Sequence, residues 1–139
     1  MYLEEDNRVL IVCYLLFSKR GDTMFYRRKF YTVKKEFVGI FNQHFSNTNL
    51  PNQLKHGSRL IGRWMKENED NTVEIFAIWE YDSYEDYVEI ETKIRNDHAH
   101  VGRVKDWYAK HGGREHVLKE YILEVENEAI TSTVEWKAQ

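Results

Sequence analysis

One cysteine, one proline and seven glycines in 139 residues leave little room for several classes of protein. The lone Cys13 supports neither an intramolecular disulfide nor a cysteine-based zinc site, and it suits a reducing cytoplasm. Pro51 stands alone and the glycines are scattered, which excludes a collagen-like or Pro-rich segment and a flexible linker. Positive charge is not in excess either, since 20 Lys+Arg stand against 23 Asp+Glu for a formal net charge of −3. A general nucleic-acid binder needs a basic face over much of the domain, so nucleic acid is not an expected partner. The longest unbroken apolar run, residues 9–17, is about half of what a spanning helix requires. It follows Glu4, Glu5 and Asp6 rather than a basic stretch, which argues against a signal peptide. No membrane insertion is expected.

What the chain does have is apolar and aromatic mass. Hydrophobic residues make up 42% and aromatics 14%, ample for one packed domain of this length. Three stretches differ in character: an N-terminal extension at 1–23, a regular domain at 24–125 and a polar tail at 126–139. Two readings of the extension compete. It is an added strand or short helix, or it is upstream sequence translated ahead of a native start at Met24. Codons for Lys19, Arg20 and Gly21 can spell the purine-rich stretch of a bacterial ribosome-binding site. The choice between Met1 and Met24 stays open.

Along the domain, residues 25–32 read as an aromatic-rich strand. Phe37, Ile40, Phe41 and Phe45 then have the spacing of an amphipathic helix over 34–46. Pro51 ends it, because a proline disfavours helical geometry in the residue before it. A helical turn at 53–56 is closed by Gly57. Strands are expected at 58–66 and 72–81, joined by a polar hairpin. The second places Val73, Ile75, Ala77, Trp79 and Tyr81 on one face and Glu74, Phe76, Ile78 and Glu80 on the other. Ser83 and Asp97 are N-cap residues for two successive helices, and Gly112-Gly113 stops the second. A last strand is expected at 116–125, with Tyr121, Leu123 and Val125 on the face opposite Leu118, Glu120 and Ile122.

The order is β-α-β-β-α-β, an α+β class ferredoxin-like sandwich with helices on one face of a four-stranded antiparallel sheet. Large apolar groups fall on both faces of its strands, so the face away from the helices needs a cover. Two sheets packed face to face in a two-fold homodimer provide one.

These residues carry a resemblance. Met24-Phe25-Tyr26-Arg27-Arg28-Lys29-Phe30-Tyr31, Leu50-Pro51-Asn52-Gln53-Leu54-Lys55-His56-Gly57 and Leu60-Ile61-Gly62-Arg63-Trp64 resemble the NIPSNAP family of the dimeric α/β-barrel superfamily. The likeness continues through Ile78-Trp79-Glu80-Tyr81-Asp82-Ser83-Tyr84-Glu85 to Tyr121-Ile122-Leu123-Glu124-Val125. It implies a homodimer forming a dimeric α/β barrel, and it implies little chemistry. Related families include cofactor-independent monooxygenases and haem-degrading enzymes. The latter use an Asn, a Trp and a His; Trp79 and His98 could be offered for the last two, but the first strand holds no Asn, which weakens the case.

The candidate site follows from these elements. Trp64, Trp79, Trp107, Tyr87 and Phe41 are ligand-binding candidates around a cleft between sheet and helices, against the plainer reading that they pack the core. His98, where the long helix bends, is the candidate general acid or base. The six histidines show no metal-ligand spacing, since His98 and His100 at i, i+2 point to different faces, so no metal is expected. No motif calls for a cofactor. Arg27, Arg28, Lys29, Lys34 and Lys35 form a basic cluster that is expected to pair with Glu74, Glu80 or Glu120 across strands. The expected function is a cytoplasmic homodimer that binds a small apolar or aromatic molecule. A cofactor-independent monooxygenase and a protein-interaction module are the alternatives.

Overall fold

The computed structural model describes residues 24–134. The extension at 1–23, with Cys13 and the question of the start, lies outside the described residues. Strand β1 (Phe25–Lys34) is central, and the sheet order is β2-β3-β1-β4 with every neighbouring pair antiparallel. With β2 (Arg59–Glu67), β3 (Thr72–Tyr81) and β4 (Ile122–Ile130), this is the ferredoxin-like arrangement.

The first crossover differs from its expected form. After a 3₁₀ turn at Lys35–Phe37, helix α1 (Val38–His44) does not stop at the Asn-rich stretch. One wide π turn, Phe45–Asn49, carries the chain straight into α2 (Leu50–Lys55). Pro51 stands in the first turn of that helix rather than ending the previous one, the place where a proline is best tolerated. Gly57 then takes φ +107°, a conformation in which a β-carbon is strained.

Helices α3 (Tyr84–Arg95) and α4 (His98–Lys110) begin on their expected caps. The Asp86 N–H donates to Ser83 Oγ at 3.0 Å, and the His100 N–H donates to Asp97 Oδ1 at 3.2 Å. Gly112 and Gly113 follow with φ near +100° and turn the chain out of the helix.

The last strand is where the pattern misleads. Residues 116–120 are helical, within α5 (Arg114–Glu120), and β4 begins only at Ile122. The Val117 N–H donates to the Gly113 carbonyl at 3.0 Å, and the Tyr121 N–H donates to the Val117 carbonyl at 2.9 Å. That turn drives Val117 wholly into the core, which an extended segment would not do. Strand β4 then runs on to Ile130, so Glu126 and Ile130 pair with Phe30 and Tyr26 of β1. A register shift at Thr32/Val33 leaves Leu123 as the extra residue, and Ile122 and Val125 therefore share the helix side instead of opposing one another.

Two core clusters form beneath the helices. One gathers Val33, Phe37, Phe41, Val73, Ile75, Val117 and Ile122, and the other Phe25, Ala77, Trp79, Tyr81 and Tyr87. No helix among the described residues is long and apolar enough to cross a membrane.

Candidate ligand cleft

Strand alternation decides which charges enter the cleft. Along β1, Phe25, Arg27, Lys29, Tyr31 and Val33 share the helix-facing side, while Tyr26, Arg28, Phe30 and Thr32 lie outward. Arg27 and Lys29 are therefore 2% and 5% exposed, walled in with the core. Glu74 and Glu80 of β3 fall on the other side, so the pairing expected between them and the basic cluster does not form as a set. Arg27 instead meets Glu91 of α3 at 3.5 Å, and Arg28 pairs with Glu126 and Glu128. Lys34 does reach Glu120, at 3.9 Å. Glu80 takes the Tyr26 hydroxyl at 2.9 Å and Arg59 Nε at 3.0 Å.

Arg27 is embedded in an aromatic box. Its Nε donates to Tyr81 Oη at 2.9 Å, and its guanidinium lies 5.6 Å from the Trp79 ring and 5.5 Å from that of Tyr87. Burial disfavours its charge, but Tyr81, Glu91 and Tyr87 together outweigh that and hold it firmly protonated. The same burial raises the Tyr81 and Tyr87 hydroxyls above their usual range.

Beside this box lies a cleft with two pockets, or lobes, that share part of their lining. The larger lobe, about 130 Å³, is lined by His44, Val104, Trp107, Leu118, Ile122 and Val125. The smaller, about 50 Å³, is lined by Arg27, Arg63, Phe45, Gln53, Ala77 and Trp79. Lys29, Tyr31, Phe41 and Asn49 border both lobes, which therefore lie side by side. The π turn brings Asn49 to the wall of both lobes and Phe45 to that of the smaller, in keeping with the frequent placement of such turns at functional sites.

Arg63 enters from β2. Its Nη1 donates to Asn42 Oδ1 at 2.8 Å, and its guanidinium lies 4.2 Å from the Phe45 ring and 5.6 Å from that of Phe41. Nη2 is buried and has no hydrogen-bond partner. Burial pushes the guanidinium pKa down, with only partial relief from Tyr31. In the larger lobe the His44 ring stacks on Trp107, and burial first, then His100 and His111, lower its pKa to about 4.

The candidate residues divide. Phe41, Trp79 and Trp107 line the cavity. Tyr87 packs behind it, against Phe25 and Tyr81. Trp64 lies on the outer sheet face, 48% exposed and packed on Phe76 at 5.6 Å. His98 is exposed at the first position of α4 and borders neither lobe. Among the described residues, no three His, Cys, Asp or Glu side chains converge as a metal site. Sequence reasoning missed Arg63, Asn49, His44 and Arg114. For Arg27 and Lys29 the signal was present, since they share strand parity with Phe25, Tyr31 and Val33.

A NIPSNAP family protein of unknown function from Agrobacterium tumefaciens has a similar fold, with a TM-score of 0.58 at 20% identity over 80% of this chain and 89% of that one. An uncharacterized NIPSNAP-like domain protein from Burkholderia xenovorans gives 0.58 at 16% identity, over 85% and 92%. A Bacillus cereus protein with the provisional description of an antibiotic biosynthesis monooxygenase gives 0.50 at 17%, over 84% and 99%. At such identities the likeness establishes the fold and carries no activity across. No curated protein matches the sequence. The NIPSNAP family profile matches residues 26–112, the span from β1 to just past α4 that supplies most of the cavity wall, and the chain belongs to the NIPSNAP family.

Proposed function

We propose that the protein is a homodimeric binding module that holds one small molecule in the cleft of each protomer, between sheet and helices. The observation that carries this reading is the two-lobed cleft itself, bordered by Phe41, Trp79 and Trp107, with Lys29 and Asn49 in the walls of both lobes. A cleft filled by side chains would have favoured a protein-interaction module instead. Concave, mostly apolar space with a few polar groups is the usual form of a small-molecule site. The outer sheet face, with Phe30, Phe76, Ile78 and an exposed Trp64, supports pairing with a second copy.

Ligand-observed NMR with benzene-sized aromatics tests the cleft. They are expected to bind the wild type and to lose binding when Leu118→Trp fills the larger lobe. Equal binding to both proteins, or binding to neither, would refute the reading.

A further inference from the structure

The lobes place apolar walls and cations side by side, and that combination specifies a ligand class. This inference rests on the cleft reading above. The larger lobe offers flat apolar walls: Trp107 carrying the neutral His44 ring, with Val104, Leu118 and Ile122. The volume of about 130 Å³ compares with the ~150 Å³ apolar cavity known to admit benzene. Cations border both lobes, and the smaller lobe has the most. Arg27, Lys29 and Arg63 border it, Arg114 stands at the larger lobe, and the described residues that line the two lobes include no Asp or Glu.

Arg63 is the telling member. Asn42 fixes one end of its guanidinium, Phe45 and Phe41 cover its faces, and Nη2 is left buried without an acceptor. A buried donor with no partner is costly, and a charged one more so. Arg63 lines the smaller lobe, so an anionic oxygen placed there lessens the cost of burying its charge. Asn49 and Gln53 add amide groups at the same lobe. A space of about 50 Å³ suits a compact anionic head rather than a second ring.

The geometry points to an aromatic carboxylate of benzoate size, its ring in the lobe of Trp107 and His44 and its carboxylate in the lobe of Arg63 and Lys29. Arg63 is then the specificity-determining residue, and Asn42 positions it. Selectivity comes from charge and shape acting in adjoining spaces, because neither lobe alone distinguishes benzoate from an unrelated acid or an unrelated ring.

Titration calorimetry of the full chain with benzoate and with its neutral isostere benzamide tests this. Benzoate is expected to bind at least about tenfold more tightly, and Arg63→Gln to remove most of that preference while benzamide binding persists. In the wild type, the Arg63 guanidinium ¹⁵N signal is expected to shift with benzoate and to stay with benzamide, a readout that needs no variant. Equal affinity for the two compounds, or an unmoved Arg63 signal at saturating benzoate, would overturn the carboxylate inference and leave the cleft reading standing. If neither compound bound and toluene also failed, both readings would fall together.

Discussion

The His44 imidazole lies flat on the Trp107 indole, with ring centroids 3.9 Å apart and planes within 10° of parallel. An aromatic face attracts a cation, yet burial and the nearby His100 and His111 favour the uncharged ring and bring its pKa to about 4. At neutral pH this pair is a flat apolar wall. It leaves the charge of the cleft to Arg27, Lys29, Arg63 and Arg114, whose positions specify where an anion sits.

The depressed pKa has a consequence for stability. A histidine whose folded-state pKa lies below its unfolded value binds fewer protons when folded. Its contribution is complete above the unfolded value of 6.5 and is lost as pH falls toward about 4. Thermal unfolding between pH 7 and 4 is expected to show a falling midpoint, and His44→Phe is expected to flatten that fall. Two-dimensional NMR should find the His44 ring neutral throughout pH 5 to 7; protonation with a midpoint near 6.5 would contradict its burial against Trp107.

Arg27 and Glu91 present a different test. Both are almost fully buried, and they meet at 3.5 Å. Removing one partner leaves a buried charge, so Glu91→Ala is expected to cost about 3–5 kcal/mol in denaturant unfolding. Replacing both, as Arg27→Met with Glu91→Leu, is expected to recover most of that loss, because the desolvation of two charges disappears with their attraction. A double variant as unstable as the single one would show that Arg27 matters through Tyr81 and the aromatic box rather than through Glu91.

The two helix caps should respond unequally. Ser83 caps α3 through one hydrogen bond, and Ser83→Ala is expected to cost about 1 kcal/mol. Asp97 caps α4 and also accepts from His56 at 2.9 Å and Lys55 at 3.2 Å, contacts that hold its carboxyl well below the usual range. Asp97→Asn is therefore expected to speed amide exchange in α2 as well as at the start of α4. Exchange confined to α4 would mean that the link to α2 contributes nothing.

How far the sequence revealed this site depends on how local the determining contacts are. Ser83 and Asp97 act on amides three residues away, so their caps were legible. The sheet order followed from element order and a hairpin of polar residues. Residues 116–120 were not legible, because a valine and a leucine amid charged neighbours fit a strand or a helix equally well, and burial of Val117 decided between them. Arg63 was hidden for a similar reason. Its role depends on Phe45 and Asn42, some twenty residues upstream and brought to it only by the crossover helix. Trp64 misled in the opposite sense: it was a candidate for the cleft, whereas the register shift between Leu60 and Gly62 sets it on the outer face.

That outer Trp64 gives the sharpest test of self-association. Its ring folds back over Gly62, so close that a β-carbon there would lie 2.4 Å from the indole. The ring also packs on Phe76, and the sheet pairs Phe76 with Phe30. The Arg28 guanidinium lies 4.6 Å from the Phe30 ring and is held by Glu126 and Glu128 of the next strand. Aromatics and paired charges thus alternate across the face that a two-fold axis would bring against itself. Sedimentation at micromolar concentration is expected to give roughly twice 16.8 kDa. Trp64→Glu places a charge against its own symmetry mate's surface and is expected to weaken the dimer by at least about tenfold. Gly62→Val should act in the same direction by lifting the indole from the sheet, with no new charge to confuse the result. A wild type that stays monomeric at these concentrations would remove the homodimer from the proposed function while leaving the cleft of each protomer intact.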